Sequence, residues 1–127
     1  MADGYIENKG AVNIFLAELK RILEDKDARL NILPREEKEV QYTTRYCLRE
    51  LGYTEEDVRG ELQSLKIKDY VETCDDERNK KSNRYYIFKK VIINREIYIK
   101  VKIESYDNKI VLCMSFHFAE YPLKTAY

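Results

Sequence analysis

The chain has 127 residues, 44% of them hydrophobic and 36% charged, the balance of a globular protein with a well-charged surface. Four Gly and two Pro exclude collagen-like and low-complexity architecture, and the length predicts one domain over residues 1–127. The net charge is zero, and the longest apolar runs, such as Val111-Leu112-Cys113-Met114, are far short of the ~20 residues of a membrane span.

The first half reads as helical. Ile14, Phe15, Leu19, Ile22 and Leu23 form one stripe at helical spacing from Asn13 onward. Residues 29–33 alternate as an edge strand closed by Pro34. After Pro34-Arg35, Val40, Thr44, Cys47, Leu48 and Leu51 make a second apolar stripe, and Gly52 is placed to end that helix. Cys47 therefore belongs to the core. Thr54 followed by Asp57 predicts a capped third helix with Val58, Leu62 and Leu65 on its apolar face. Gly60 keeps it short.

Residues 73–83 contain almost nothing apolar and read as a loop. Beyond them the period becomes two. Residues 84–93, 96–104 and 109–118 are expected to be three antiparallel strands, joined by turns at Asn94-Arg95 and Asp107-Asn108. Two-residue turns set Ile103 against Leu112, Val101 against Met114 and Ile99 against Phe116, all on one apolar face. They set Lys102 against Cys113, Lys100 against Ser115, Tyr98 against His117, Lys89 beside Lys100 and Val91 beside Tyr98 on the other. The expected fold class is α+β, with N-terminal helices packed on one face of a C-terminal antiparallel meander.

The neutral total hides an uneven distribution. Residues 1–76 carry 12 Lys+Arg against 18 Asp+Glu, and residues 77–127 carry 11 against 5. An acidic helical half (residues 1–72) thus precedes a basic sheet half (residues 84–118). From Arg78 to Lys102 there are nine basic residues and one acidic one, Glu96, and six of the eleven tyrosines fall in the basic half. Lysines interleaved with aromatics suit unstacked bases and phosphates, so the partner expected is RNA. Arg84, Tyr85, Lys89 and Lys102 are the candidate RNA-binding residues.

Three cysteines without a Cys-x-x-Cys pair disfavour a disulfide framework or zinc ribbon and fit the cytoplasm. The first residues show no basic stretch followed by an apolar one, so no signal peptide is expected. The single histidine, His117, excludes a His-rich metal site. Its expected neighbours Tyr98 and Lys100 complete a candidate catalytic set, with imidazole and phenol for proton transfer and ammonium for the phosphate charge. No carboxylate pair at metal-ligand spacing lies on these strands, which favours metal-independent cleavage with no cofactor.

Tyr86-Ile87-Phe88-Lys89-Lys90, Glu96-Ile97-Tyr98-Ile99-Lys100-Val101-Lys102 and Ser115-Phe116-His117-Phe118-Ala119-Glu120-Tyr121-Pro122-Leu123 carry a resemblance. So do Leu51-Gly52-Tyr53-Thr54-Glu55-Glu56-Asp57-Val58, Leu65, Lys68-Asp69-Tyr70 and Pro34-Arg35-Glu36-Glu37-Lys38. Over residues 14–123 the chain resembles the MqsR-type toxins of bacterial toxin–antitoxin systems. The resemblance implies a RelE-like fold, mRNA interferase activity and a cognate antitoxin protein that blocks it. Tyr98 occupies the family's strand tyrosine and Lys100 a basic strand position, while His117 follows Ser115-Phe116 where another branch has lysine. The family's remaining polar active-site positions fall near Glu72 and Tyr85, where it has lysine and glutamine. A toxin-fold module that binds nucleic acid, or blocks a nucleic-acid-binding protein, without cleavage is the alternative.

Overall fold

A computed structural model describes residues 4–34, 39–76 and 83–127. Residues 35–38 of the motif that begins at Pro34 and most of the expected loop, residues 77–82, lie outside the described residues, as do residues 1–3. Among the described residues no helix is long and apolar enough to cross a membrane.

Helix α1 (Lys9–Glu24) starts before Asn13 because Asn8 caps it, its side-chain oxygen accepting from the Ala11 amide at 2.8 Å. It buries Val12, Phe15, Leu16, Leu19, Ile22 and Leu23; Ile14 falls off this face and is 63% exposed. Helix α2 (Thr44–Leu51) begins later than the apolar spacing suggested. A 3-10 turn, Val40–Tyr42, precedes it, Thr43 caps it, and Val40 faces solvent. Gly52 closes it in the left-handed region (φ 67°), as expected of a residue without Cβ. Helix α3 (Glu55–Gln63) carries the expected capping box, with Thr54 and Asp57 bonding reciprocally.

The fold is α+β, but the sheet has five strands and is mixed: β1 (Arg29–Ile32), β2 (Tyr70–Cys74), β3 (Tyr85–Ile92), β4 (Arg95–Ser105) and β5 (Ile110–Phe118). Their order is β1-β5-β4-β3-β2, with β1 parallel to β5 and the other pairs antiparallel. The three-strand meander of the sequence reading is therefore its centre. Residues 73 and 74, expected in the polar loop, instead end β2, and a register shift between Tyr70 and Glu72 interrupts its alternation. Chain termini cover its outer edge: Tyr5 exchanges two backbone hydrogen bonds with Thr73, and the Ala126 amide donates to the Tyr70 carbonyl at 2.9 Å.

The β3–β4 turn is Ile93-Asn94, with both residues at positive φ (50° and 63°), rather than Asn94-Arg95. Lys89 consequently lies opposite Tyr98, Ile87 opposite Lys100 and Val91 opposite Glu96. The shift is two residues, so each side chain keeps its face.

The β4–β5 ladder is right at one end and displaced at the other. Ile99 pairs with Phe116, Tyr98 with His117 and Lys100 with Ser115, as expected. A bulge then leaves Met114 without an opposite number, so Val101 meets Cys113, Lys102 meets Leu112 and Ile103 meets Val111. Ser105 pairs with Ile110, and the Asp107-Asn108 turn is a longer loop. Cys113 and Val111 therefore take the core places expected for Met114 and Leu112. The Phe116 amide donates to Thr44 Oγ1 at 3.1 Å, fastening α2 to the same strand.

The helices cover the inner face, where Phe88, Ile97, Ile99, Val101, Ile103, Val111, Cys113 and Phe116 are buried with the α1 stripe, Cys47, Val58 and Leu62. Phe15 stacks on Tyr86 with centroids 3.9 Å apart, joining α1 to β3. Burial pushes the Tyr86 phenol up to about 12.

Candidate functional site

The opposite face of the sheet presents Tyr85, Ile87 and Lys89 from β3, Tyr98, Lys100 and Lys102 from β4, and Ser115 and His117 from β5. It has a small apolar cluster of its own. Cys74, Tyr85 and Ile87 are buried, with Val71, Tyr98, Leu112 and Met114 packed beside them. The signal for it was the unbroken apolar run Tyr85-Tyr86-Ile87-Phe88, which marks a strand covered on both sides.

Tyr98 and His117 come together, and Lys100 shares their face of the sheet. The His117 ring stacks on the Tyr98 ring, centroids 5.0 Å apart and planes 14° from parallel. His117 Nδ1 lies 2.9 Å from the Phe118 carbonyl oxygen. A carbonyl only accepts, so Nδ1 carries the proton and the neutral ring has its lone pair on Nε2. The ring is deeply placed, at 2% exposure. Lys100 stands in the next row, opposite Ser115, with its ammonium 5.0 Å from the Tyr85 ring centroid. It also lies beside the Cys74 thiol, which burial pushes up and the ammonium of Lys100 draws back down.

The expected RNA-binding residues divide. Lys89 shares the row of Tyr98 and His117, and its ammonium donates to the Leu123 carbonyl at 3.1 Å and lies 3.6 Å from Glu96. Lys102 is buried against Asp76 at 2.9 Å, 5.0 Å from the centroid of the Tyr85 ring. Tyr85 itself is 3% exposed, with Lys100 and Lys102 against its ring. Arg84 turns toward the N-terminal segment, 2.8 Å from Glu7, 3.7 Å from Asp75 and 5.7 Å from the Tyr5 ring centroid. Arg84, Lys89 and Lys102, three of the basic residues counted along the chain, are thus paired in space with Glu7, Asp75, Asp76 and Glu96. Glu7 and Asp76 come from distant segments, and no local spacing announces them.

The segment after β5 returns across this end of the sheet. The Ala119 amide donates to the Glu96 carbonyl at 2.9 Å, the Leu123 amide to Glu96 Oε1 at 2.8 Å, and the Tyr127 hydroxyl to the Glu7 carbonyl at 2.6 Å. Tyr127 also stacks on Tyr70. Among the described residues, no group of three His, Cys, Asp or Glu side chains is arranged to hold a metal ion.

Comparison with known proteins finds no matching family model, no matching curated protein and no matching solved structure.

Proposed function

We propose that this protein is a metal-independent endoribonuclease, an mRNA-cleaving toxin of the MqsR type that works in the cytoplasm and is held in check by a cognate antitoxin protein. The observation that supports it is the placement of His117, Tyr98 and Lys100 on one face of adjacent strands. His117 Nε2 takes the proton of a ribose 2′-OH, and the 2′-oxygen attacks the neighbouring phosphorus. The bond to the 5′-oxygen breaks as Tyr98 supplies its proton, and the proton held by His117 restores the phenol. Lys100 balances the charge on the phosphorane. His117 is 2% exposed, so RNA reaches it only by displacing the groups that cover it.

Burial of His117, together with the ion pairs of Lys102 and Arg84, favours a second reading. In it the same toxin-like fold binds nucleic acid, or blocks a protein that does, without cleaving. Incubating the pure protein with end-labelled RNA in EDTA separates the two. The enzyme leaves 2′,3′-cyclic phosphate ends, and His117→Ala abolishes them together with growth arrest on expression. Intact RNA with wild type and variant alike, under conditions where both bind it, removes the enzyme. Binding should weaken with salt at a slope of about 0.7 per phosphate contacted. Binding indifferent to salt would remove the basic face from either reading.

A further inference from the structure

A cleft of about 460 Å³ opens beside the C-terminal half of β3, lined by Ser64, Lys66, Lys68, Lys89, Lys90 and Thr125. Its position follows from where β2 starts. β2 enters the ladder opposite Phe88, so residues 89–92 of β3 have β4 on one side and no β2 residue paired on the other. Lys66 and Lys68 arrive from the far wall, where the chain leaves α3 and makes the 3-10 turn Ile67–Asp69.

Four lysines line this one cleft, and their like charges repel unless anions stand between them. Lys90 reaches the Ser64 hydroxyl at 2.7 Å and Glu61 at 3.8 Å, and Lys89 has Glu96 at 3.6 Å. Lys66 and Lys68 are exposed, and no carboxylate among the described residues forms an ion pair with either. The one carboxylate in the lining, Asp69, accepts from the Lys66 backbone amide at 2.9 Å. The cleft therefore keeps an excess of positive charge over the single carboxylate in its lining, with the Thr125 hydroxyl beside it; the Ser64 hydroxyl already donates to the Glu61 carbonyl at 2.8 Å. Among the described residues its apolar wall is Val91, and no aromatic ring lines it on which a base could stack.

We propose that this cleft holds the phosphodiester backbone of RNA that flanks the cleaved bond, without reading its bases; the inference rests on the RNA-directed reading above. Lys89 connects the two places. It lines the cleft and stands in the same row as Tyr98 and His117, two strand spacings of about 4.8 Å from the histidine strand. Lysines without a stacking platform bind phosphate as point charges, so the cleft supplies affinity and direction rather than sequence choice.

The test uses the full chain and a fluorescent 2′-O-methyl RNA 12-mer, which binds and cannot be cleaved. Lys66→Ala combined with Lys68→Ala should weaken binding about tenfold at 0.1 M salt and lower the salt slope by about 1.4, the share of two single-strand phosphates. Lys26→Ala combined with Arg49→Ala, exposed positions outside the cleft, should leave both unchanged. If the Lys66/Lys68 variant binds like wild type while wild type binds RNA, the cleft assignment falls and the outer-face reading stands. If wild type binds no RNA of any kind, both fall. Competition by polyglutamate as effective as that by the unlabelled RNA would overturn the choice of phosphodiester. Circular dichroism and the urea midpoint confirm that the variants are folded.

Discussion

His117 and Tyr98 face each other ring on ring across β5 and β4, at 5.0 Å between centroids. Tyr98→Phe keeps this stack and removes only the phenolic proton, whereas His117→Ala removes the base. Each should lower RNA cleavage by about 10²–10⁴-fold while changing RNA affinity little, because general acid–base groups act on the transition state. Lys100→Ala should weaken both. A Tyr98→Phe variant as fast as wild type would take the phenol out of the mechanism.

Asp76 balances the buried ammonium of Lys102. Asp76→Asn should lower stability in urea unfolding by about 3 kcal/mol, since a buried charge then loses its counter-ion. Combining it with Lys102→Met should restore most of that loss, because a flexible apolar chain replaces the charge. An unchanged urea midpoint for Asp76→Asn would show that the pair does not hold β4 to the end of β2.

Burial pushes the thiols of Cys47 and Cys113 up to about 12. Both stay protonated and enclosed at pH 8, so iodoacetamide should modify neither in the folded protein and both after unfolding in urea. Rapid labelling of either in the native state would contradict its place in the core.

The same shifts make stability fall with alkali. Tyr53 is also raised to about 12, first by burial and then by its hydrogen bond to Glu61. In the unfolded chain thiols lose their protons above about pH 8.5 and phenols above about pH 10, while the folded chain keeps them. The folded state binds more protons in that window, so the urea midpoint should be level below it and decline toward pH 12. A flat profile to pH 11 would remove the effect.

Gly52→Ala tests the end of α2. Nothing lies within 4 Å of the Cβ it would add, so the cost is that of φ 67° alone. About 1 kcal/mol of stability should be lost, read from the urea midpoint.

Local features were legible in the order of residues. The Thr54–Asp57 box, the Gly52 cap, the α1 stripe and the apolar alternation of Ile97, Ile99, Val101 and Ile103 depend on neighbours a few positions away. The faces of Tyr98, Lys100 and Lys89 survived a misplaced turn because the displacement was an even number of residues.

What tertiary structure decided was pairing over distance. Extrapolating the ladder from its turn put Leu112 and Met114 in the core; the bulge at Met114 gave those places to Val111 and Cys113. The parallel seat of β1 beside β5 and the covered edge of β2 depend on segments brought together from far along the chain. The charges of Arg84 and Lys102 were visible as basic residues, but whether they meet solvent or a carboxylate depends on Glu7 and Asp76. Alternation and capping are short-range geometry written residue by residue. Burial and ion pairing arise only when the chain closes on itself, and they determined which of the basic strand residues remain available to a phosphate.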